Sequence, residues 1–171
     1  MSSTPVERAL KMLDENMFLT LATAEDGLPW CAPVAFVVGP GKALHFYSAT
    51  ESAHARHIEK NPSVAMAVWD SRARGEEVDG MQLEAQCVVV EPRALEAVVE
   101  HYFSRLFPDE ETRAWWYRPA SAFAGDGLWR FYRLDIEDVF VIDLENFAET
   151  KIDRRVRVDT ADLLREIDAI G

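Results

Sequence analysis

No stretch of the 171-residue chain is apolar for long enough to span a bilayer, and its opening segment, MSSTPVERALKMLDEN, lacks the apolar centre of a secretion signal. Both absences lead to the expectation of a cytoplasmic protein without a membrane partner. Basic residues are also scarce: 18 Lys and Arg against 30 Asp and Glu leave a formal charge of -12. Such a balance excludes the broad basic footprint that nucleic-acid backbones and anionic lipid surfaces require. A local pocket for one small anion is compatible with it. Cysteine is limited to Cys31 and Cys87, in separate apolar segments, which fits reduced thiols; a bridge between them has no support in the spacing. The four histidines, His45, His54, His57 and His101, match no zinc or iron spacing. The chain has no Ser-His-Asp order, no framed pair of carboxylates and no phosphate loop of the nucleotide-hydrolase type. Any redox or transfer chemistry would therefore belong to a bound cofactor.

What is present is a chain with 49% hydrophobic residues, without internal repeat, low-complexity stretch or linker. Its length suits one domain over residues 1–171. Thr4 and Pro5 open a short helix with Val6, Leu10 and Leu13 on one stripe. Met17 to Thr23 reads as a strand, Glu25-Asp26-Gly27 as a hairpin turn, and Pro29 to Val38 as a long second strand. Pro33 cannot donate to a ladder, so it belongs at an edge or bulge, where backbone is free for a ligand. Further strands are expected over Ala43 to Tyr47, Ser63 to Trp69 and Met81 to Val90. Leu128 to Leu134 and Val139 to Asp143 read as two strands joined by a polar turn, and Arg154 to Val158 as a short last one. Pro92 to Phe107 shows the clearest helical spacing, and a capped helix is expected from Thr160 to Ile170. Strand-to-strand links this short favour antiparallel pairing, with enough strands to close a barrel flanked by peripheral helices.

One stretch stands out for function. Between Leu44 and Val64 a strand runs through a polar elbow, Ser48-Ala49-Thr50, into a helix over Ala53 to Lys60 that Asn61-Pro62 ends. A strand turning into a helix N-terminus aims free N–H groups and a hydroxyl at one point, a natural seat for a phosphate. The plainer reading is a capped helix joining two strands, with Ser52 as N-cap.

The segments FLTLAT with AEDGLPW, WCAPVAFVV, ALHFYSAT, SAHARHIEKNPSVAMAV, GMQLEAQCVVVEP and LWRFYRLDIEDVFVID, in this order, resemble the FMN-binding split-barrel family related to pyridoxamine 5'-phosphate oxidase. The resemblance covers roughly residues 6 to 145. It implies a mainly β antiparallel split barrel, a C-terminal extension at about 146–171 and a homodimer with FMN at the subunit interface. It further implies an oxidoreductase acting on a small molecule or a nicotinamide donor. By position, Trp30, Cys31, Ala32 and Pro33 would lie beside the flavin ring, and Ser48, Ala49 and Thr50 would line the turn. Ser52 and His54 would face the phosphate, and Gln82 would reach the ring or ribityl chain. FAD, a deazaflavin or haem remain open as cofactors, and a non-catalytic flavin- or haem-binding sensor on the same fold is the alternative function. Where the family commonly has Ser followed by basic residues including Lys, this chain has Ser52-Ala53-His54 and then Arg56. A histidine, with a reference pKa of about 6.5, is only a conditional cation. Other residues carry two readings: Cys31 as thiol or small buried residue, His57 as site or exposed helix residue, and Trp115-Trp116-Tyr117 as ring cover or core. Arg130 could meet a cofactor or a carboxylate, and Glu76-Glu77-Val78-Asp79 reads as a solvated acidic loop.

Overall fold

The computed structural model describes residues 3–75 and 78–170; Glu76 and Glu77 of the acidic loop lie outside the described residues. Helix α1 (Pro5–Glu15) starts at Thr4, whose hydroxyl accepts from the Glu7 N–H while Glu7 accepts from the Thr4 N–H, a complete capping box. Strands β1 (Phe18–Glu25) and β2 (Leu28–Ala35) form a hairpin in register from Phe18↔Ala35 to Glu25↔Leu28. Its two turn residues, Asp26 and Gly27, both take positive φ (51° and 78°), the left-handed pair that a two-residue hairpin needs.

The second strand expected from the sequence is broken at Phe36, beyond which β3 (Val37–Gly39) pairs with β4 (Ala43–Ala49) instead of β1. Helix α2 (Ala53–Lys60) and β5 (Ser63–Trp69) take the expected bounds; β6 (Gly80–Val89) begins one residue early. Helices α3 (Pro92–Leu106) and α4 (Glu110–Trp116) and a 3-10 turn at Ala120–Phe123 lead into β7 (Trp129–Ile142). The two closing strands expected here are one. Ile136 is buried, so inward alternation continues through the polar segment, and Glu137 is extruded as a bulge between the pairs Ala85↔Ile136 and Glu84↔Asp138. The bulged Glu137 carboxylate accepts from the Gln86 amide at 3.1 Å. Helix α5 (Leu144–Thr150), unforeseen in the sequence, precedes β8 (Arg155–Arg157) and α6 (Thr160–Glu166).

All eight strands belong to one antiparallel sheet in the order β2-β1-β5-β6-β7-β4-β3, with β8 paired to β7. Strands β2 and β3 occupy opposite ends of that order, yet only Phe36 separates them in the chain. The sheet must therefore curl until its ends meet, which gives the split, half-closed barrel with peripheral helices. Pro33 sits on the β2 edge, where its missing N–H costs no ladder bond.

Inward positions such as Leu21, Met66, Leu83 and Val139 form the main core, which Leu163 and Ile167 of the C-terminal region complete. A second core lies outside the sheet, where α3 packs Tyr102 and Phe103 on Tyr47 and Phe131. Among the described residues no helix is long and apolar enough to cross a membrane, and no group of three His, Cys, Asp or Glu could hold a metal.

Candidate functional site

The elbow is held open by backbone first. The Thr50 N–H donates to Leu128 O at 3.0 Å, and the Ser52 N–H donates to Ala49 O at 3.1 Å, so β4 turns sharply before α2 starts. Ser52 is the N-cap and accepts from the Ala55 N–H at 3.3 Å. Its hydroxyl also lies 3.3 Å from Ser48 Oγ, and both converge on His54 Nε2, at 3.1 and 2.7 Å. The three side chains make a closed polar knot at the mouth of the barrel, with Phe46 behind the imidazole at a ring separation of 6.4 Å.

His54 is only 9% exposed, and burial, together with the neighbouring His57, lowers its pKa below the usual imidazole value. The ring is accordingly a neutral hydrogen-bonding partner of two serines, not a cation facing solvent. Arg56 points away, donating to Glu51 O, and Arg130, directly opposite Ser48 in register, donates to the carbonyls of Gly125, Gly127 and Trp129. His57 differs from its reading as an exposed helix residue. Its Nδ1 lies 3.0 Å from Thr23 Oγ1 and its Nε2 3.5 Å from Glu25, pinning α2 to the β1–β2 hairpin.

The β2 residues are divided between two faces. Trp30 pairs with the buried Thr23 and Ala32 with Leu21, on the inward side, whereas Cys31 pairs with Ala22 and Pro33 with Thr20, on the outward side. Cys31 is exposed there as a free thiol, contrary to the expectation of a buried small residue; an edge strand leaves that face uncovered. Cys87 is buried in the main core, and burial pushes its thiol up to about 12.

Outward of the sheet lies a groove of about 560 Å³, floored by Thr20, Ala22, Ala65 and Ala67 and edged by Cys31 and Gln82. Its size comes from sequence: three alanines, a threonine and a cysteine stand where the sheet's other half carries aromatic rings. Phe18 and Trp69 continue the same outward face and are 60% and 48% exposed. Eight of the ten candidate residues therefore fall into two groups, the elbow set (Ser48, Ala49, Thr50, Ser52, His54) and the groove set (Cys31, Pro33, Gln82); Trp30 and Ala32, expected beside the ring, alternate to the inward side and belong to neither. The floor of small residues went unnoticed in the sequence; the run Ala65-Met66-Ala67 against Thr20-Leu21-Ala22, small outside and large inside, carried that signal. Trp116 stacks on Phe107 at 5.6 Å, while Trp115 is 70% exposed, so the aromatic cluster is only partly core.

Comparison with known proteins places this architecture. The family model described as pyridoxamine 5'-phosphate oxidase matches residues 6–142. No curated protein sequence matches the chain. Among solved structures, a FAD-binding protein from Mesorhizobium loti is similar, with 22% identity over 81% of this chain and 94% of that one and a TM-score of 0.61. HutZ, the haem storage protein of Vibrio cholerae, aligns at 20% identity over 81% of this chain and 95% of that one, with a TM-score of 0.63. At these identities the likeness speaks for the fold.

Proposed function

The chain belongs to the pyridoxamine 5'-phosphate oxidase family, and from that premise we propose that it is a homodimeric FMN-dependent oxidoreductase acting on a small molecule. The observation that carries the reading is the bare outward floor of Thr20, Ala22, Ala65 and Ala67, with Gln82 at its edge; the elbow of convergent hydroxyls is a separate feature of the same chain. The small, mainly apolar floor leaves room for an aromatic ring system, with Glu84 and Arg155 in the groove wall, and the exposed Phe18 and Trp69 on the same face favour a second copy as its cover.

The donor set at the elbow suits a phosphate. Ser48 and Ser52 supply hydroxyls, and the first turn of α2 supplies N–H groups without an intrahelical acceptor. Charge does little there, because His54 is held neutral and Arg56 and Arg130 are engaged with backbone carbonyls. Gln82 would hydrogen-bond the ring edge, and Cys31 and Pro33 would flank it. The flavin, when bound, supplies the hydride or electron chemistry; the chain's own part is to bind, orient and exclude water. The alternative is a non-catalytic holder of a planar cofactor, which the likeness to a haem storage protein and the absence of a permanent cation in the elbow both favour.

The test is a fluorescence titration of the protein with FMN and with riboflavin. FMN should bind at least about ten-fold tighter than riboflavin, the advantage of a few charge-assisted hydrogen bonds. Ser52→Ala should remove most of that difference while costing about 1 kcal/mol of stability through the lost cap. Equal affinity for the two flavins would take the phosphate out of the elbow. Reduction of bound FMN by a nicotinamide donor with turnover would select the enzyme over the holder.

A further inference from the structure

If a phosphate sits at the elbow, the hydroxyls there must turn their protons outward. Ser48 Oγ lies 2.7 Å from His54 Nε2, Ser52 Oγ lies 3.1 Å from the same nitrogen, and the two hydroxyls are 3.3 Å apart. Ser52 also accepts from the Ala55 N–H at 3.3 Å. With Nε2 as an acceptor, Ser48 donates to the ring and Ser52 donates to Ser48 or to the ring, so both hydroxyl protons are held inside the knot. Only lone pairs then face outward, the wrong polarity for an anion. With a proton on Nε2 the ring becomes the donor, and both hydroxyl protons are free to turn toward a ligand.

The charged groups of the surrounding elements are engaged elsewhere. On α2, Arg56 turns back to Glu51 O, Glu59 is exposed, and Lys60 bonds Glu25. At the end of β1, Glu25 lies 3.5 Å from His57 Nε2, on the far side of that ring from Thr23. Strand β2 carries only Cys31, on the outward side of the sheet. From β7, Arg130 stands opposite Ser48 but donates to the carbonyls of Gly125, Gly127 and Trp129, and Tyr132 stacks on Phe46 at 5.0 Å, behind the imidazole. Asp126, in the loop that bonds Thr50, is exposed. Burial and then His57 lower the His54 pKa below the usual imidazole value, so the ring is neutral as it stands.

We propose that the elbow takes up one proton, on His54 Nε2, as it binds a phosphate, a step that rests on the elbow being the seat of the FMN phosphate. A dianion beside the ring favours the imidazolium. The imidazolium then donates to the serines, and the serines donate outward together with the free N–H groups at the start of α2. The proton comes from solvent and returns there when the ligand leaves. His54 is thus a cation only while the ligand is present, and affinity for a phosphate depends on pH where a permanent Lys charge would hold it constant. Because the bound state carries the extra proton, FMN affinity falls as pH rises between the low pKa of the free ring and the raised pKa of the bound one.

The test is a fluorescence titration with FMN and with riboflavin between about pH 6.5 and 8, joined to nitrogen NMR of the His54 ring. FMN affinity should fall about three-fold or more over that range, and riboflavin affinity should stay level. The second ionisation of the phosphate, near about 6, acts in the opposite direction and cannot produce the fall. His54→Gln, which offers an amide donor without a titrating proton, should bind FMN with no such fall, and His57→Gln should keep it. In the parent at neutral pH, FMN should carry the His54 nitrogens from the neutral to the imidazolium positions, a readout that needs no variant to fold. An FMN preference that is constant with pH, or a His54 ring that stays neutral with FMN bound, its proton merely moved to Nε2, overturns the proton uptake and leaves the phosphate at the elbow. Equal affinity for the two flavins at every pH, with the His54 nitrogens unmoved, overturns the phosphate seat and the proton uptake together.

Discussion

Over β3, β4 and β7 the outward positions of the sheet carry Val37, Tyr47 and Phe131, and α3 covers them with Tyr102, Phe103 and Val99. Over β1, β2 and β5 the same outward positions carry Thr20, Ala22, Cys31, Ala65 and Ala67, and the groove above them is walled by Glu84, Phe140 and Arg155 rather than by a helix. The inward face is equally filled beneath both halves, by Leu44 and Phe46 on one side and Leu21 and Met66 on the other. Alternation along the strands is thus the same throughout, and at these central positions only the outward side chains change, from large to small; Phe18 and Trp69, farther along the same outward face, are large and exposed. The difference separates a half that the chain completes by itself from a half that is finished by something else. Large rings outside need a helix over them, whereas small residues outside leave a floor for a planar ligand and a second copy.

The strongest way to break this contrast is to empty the covered half. Phe103 is fully buried and packs against Tyr47, Tyr102, Phe123 and Phe131 within 6.5 Å of ring separation. Phe103→Ala should cost about 3–5 kcal/mol, the transfer loss plus a cavity, read from the midpoint of urea unfolding. A loss below about 1 kcal/mol would mean that α3 is only loosely applied and that the two halves are alike.

Acid should separate the halves next. The His45 pKa falls from 6.5 to about 4 in the folded protein, first through burial and then through His101 and Arg133. Its proton is therefore taken up more readily by the unfolded chain. The stabilisation is complete above about pH 6.5 and is lost as pH falls toward about 4, amounting to at most about 3 kcal/mol. Unfolding curves near neutrality and in mild acid, for the parent and for His45→Leu, should differ in slope by that amount. Identical slopes would assign the acid sensitivity to other groups.

How far these features could be read from sequence depends on the range of the interaction behind each. Thr4, Ser52 and the Asp26-Gly27 turn act within a few residues, and the α2 bounds and the β1–β2 hairpin were legible from them. The break at Phe36 was not, because nothing in PVAFVV says that its last residues pair with β4 rather than β1; closure of the sheet decides it. The polar segment Asp135-Ile136-Glu137-Asp138 looked like a turn, since a bulge that hides one extra residue is set by the partner strand. At the elbow, the residue types were legible, but the inward turn of His54 was not. Its pKa is lowered first by burial and then by His57, and the burial is not visible in the spacing Ser52-Ala53-His54. The split of Trp30 from Cys31 follows from period-two alternation and was within reach once β2 was placed on the edge.

The smallest effect on stability, and the sharpest on the contrast itself, belongs to Ala65→Leu. Ala65 is exposed at the centre of the bare floor, between Ala22 on β1 and Glu84 on β6. A leucine there displaces only solvent in the isolated protomer, so folding stability should stay within about 0.5 kcal/mol of the parent. If a flavin ring or a partner subunit rests on that floor, the same added carbons overfill a packed contact, at about 1–3 kcal/mol. FMN affinity, or the dimer's dissociation constant, should then weaken about ten-fold or more, measured by fluorescence titration and by sedimentation. Thr20→Val, equal in volume and on the same floor, should leave both unchanged apart from the lost hydroxyl. A leucine at position 65 that changes neither folding nor binding would mean that the uncovered half is an ordinary solvated sheet, and the functional reading would pass to the elbow alone.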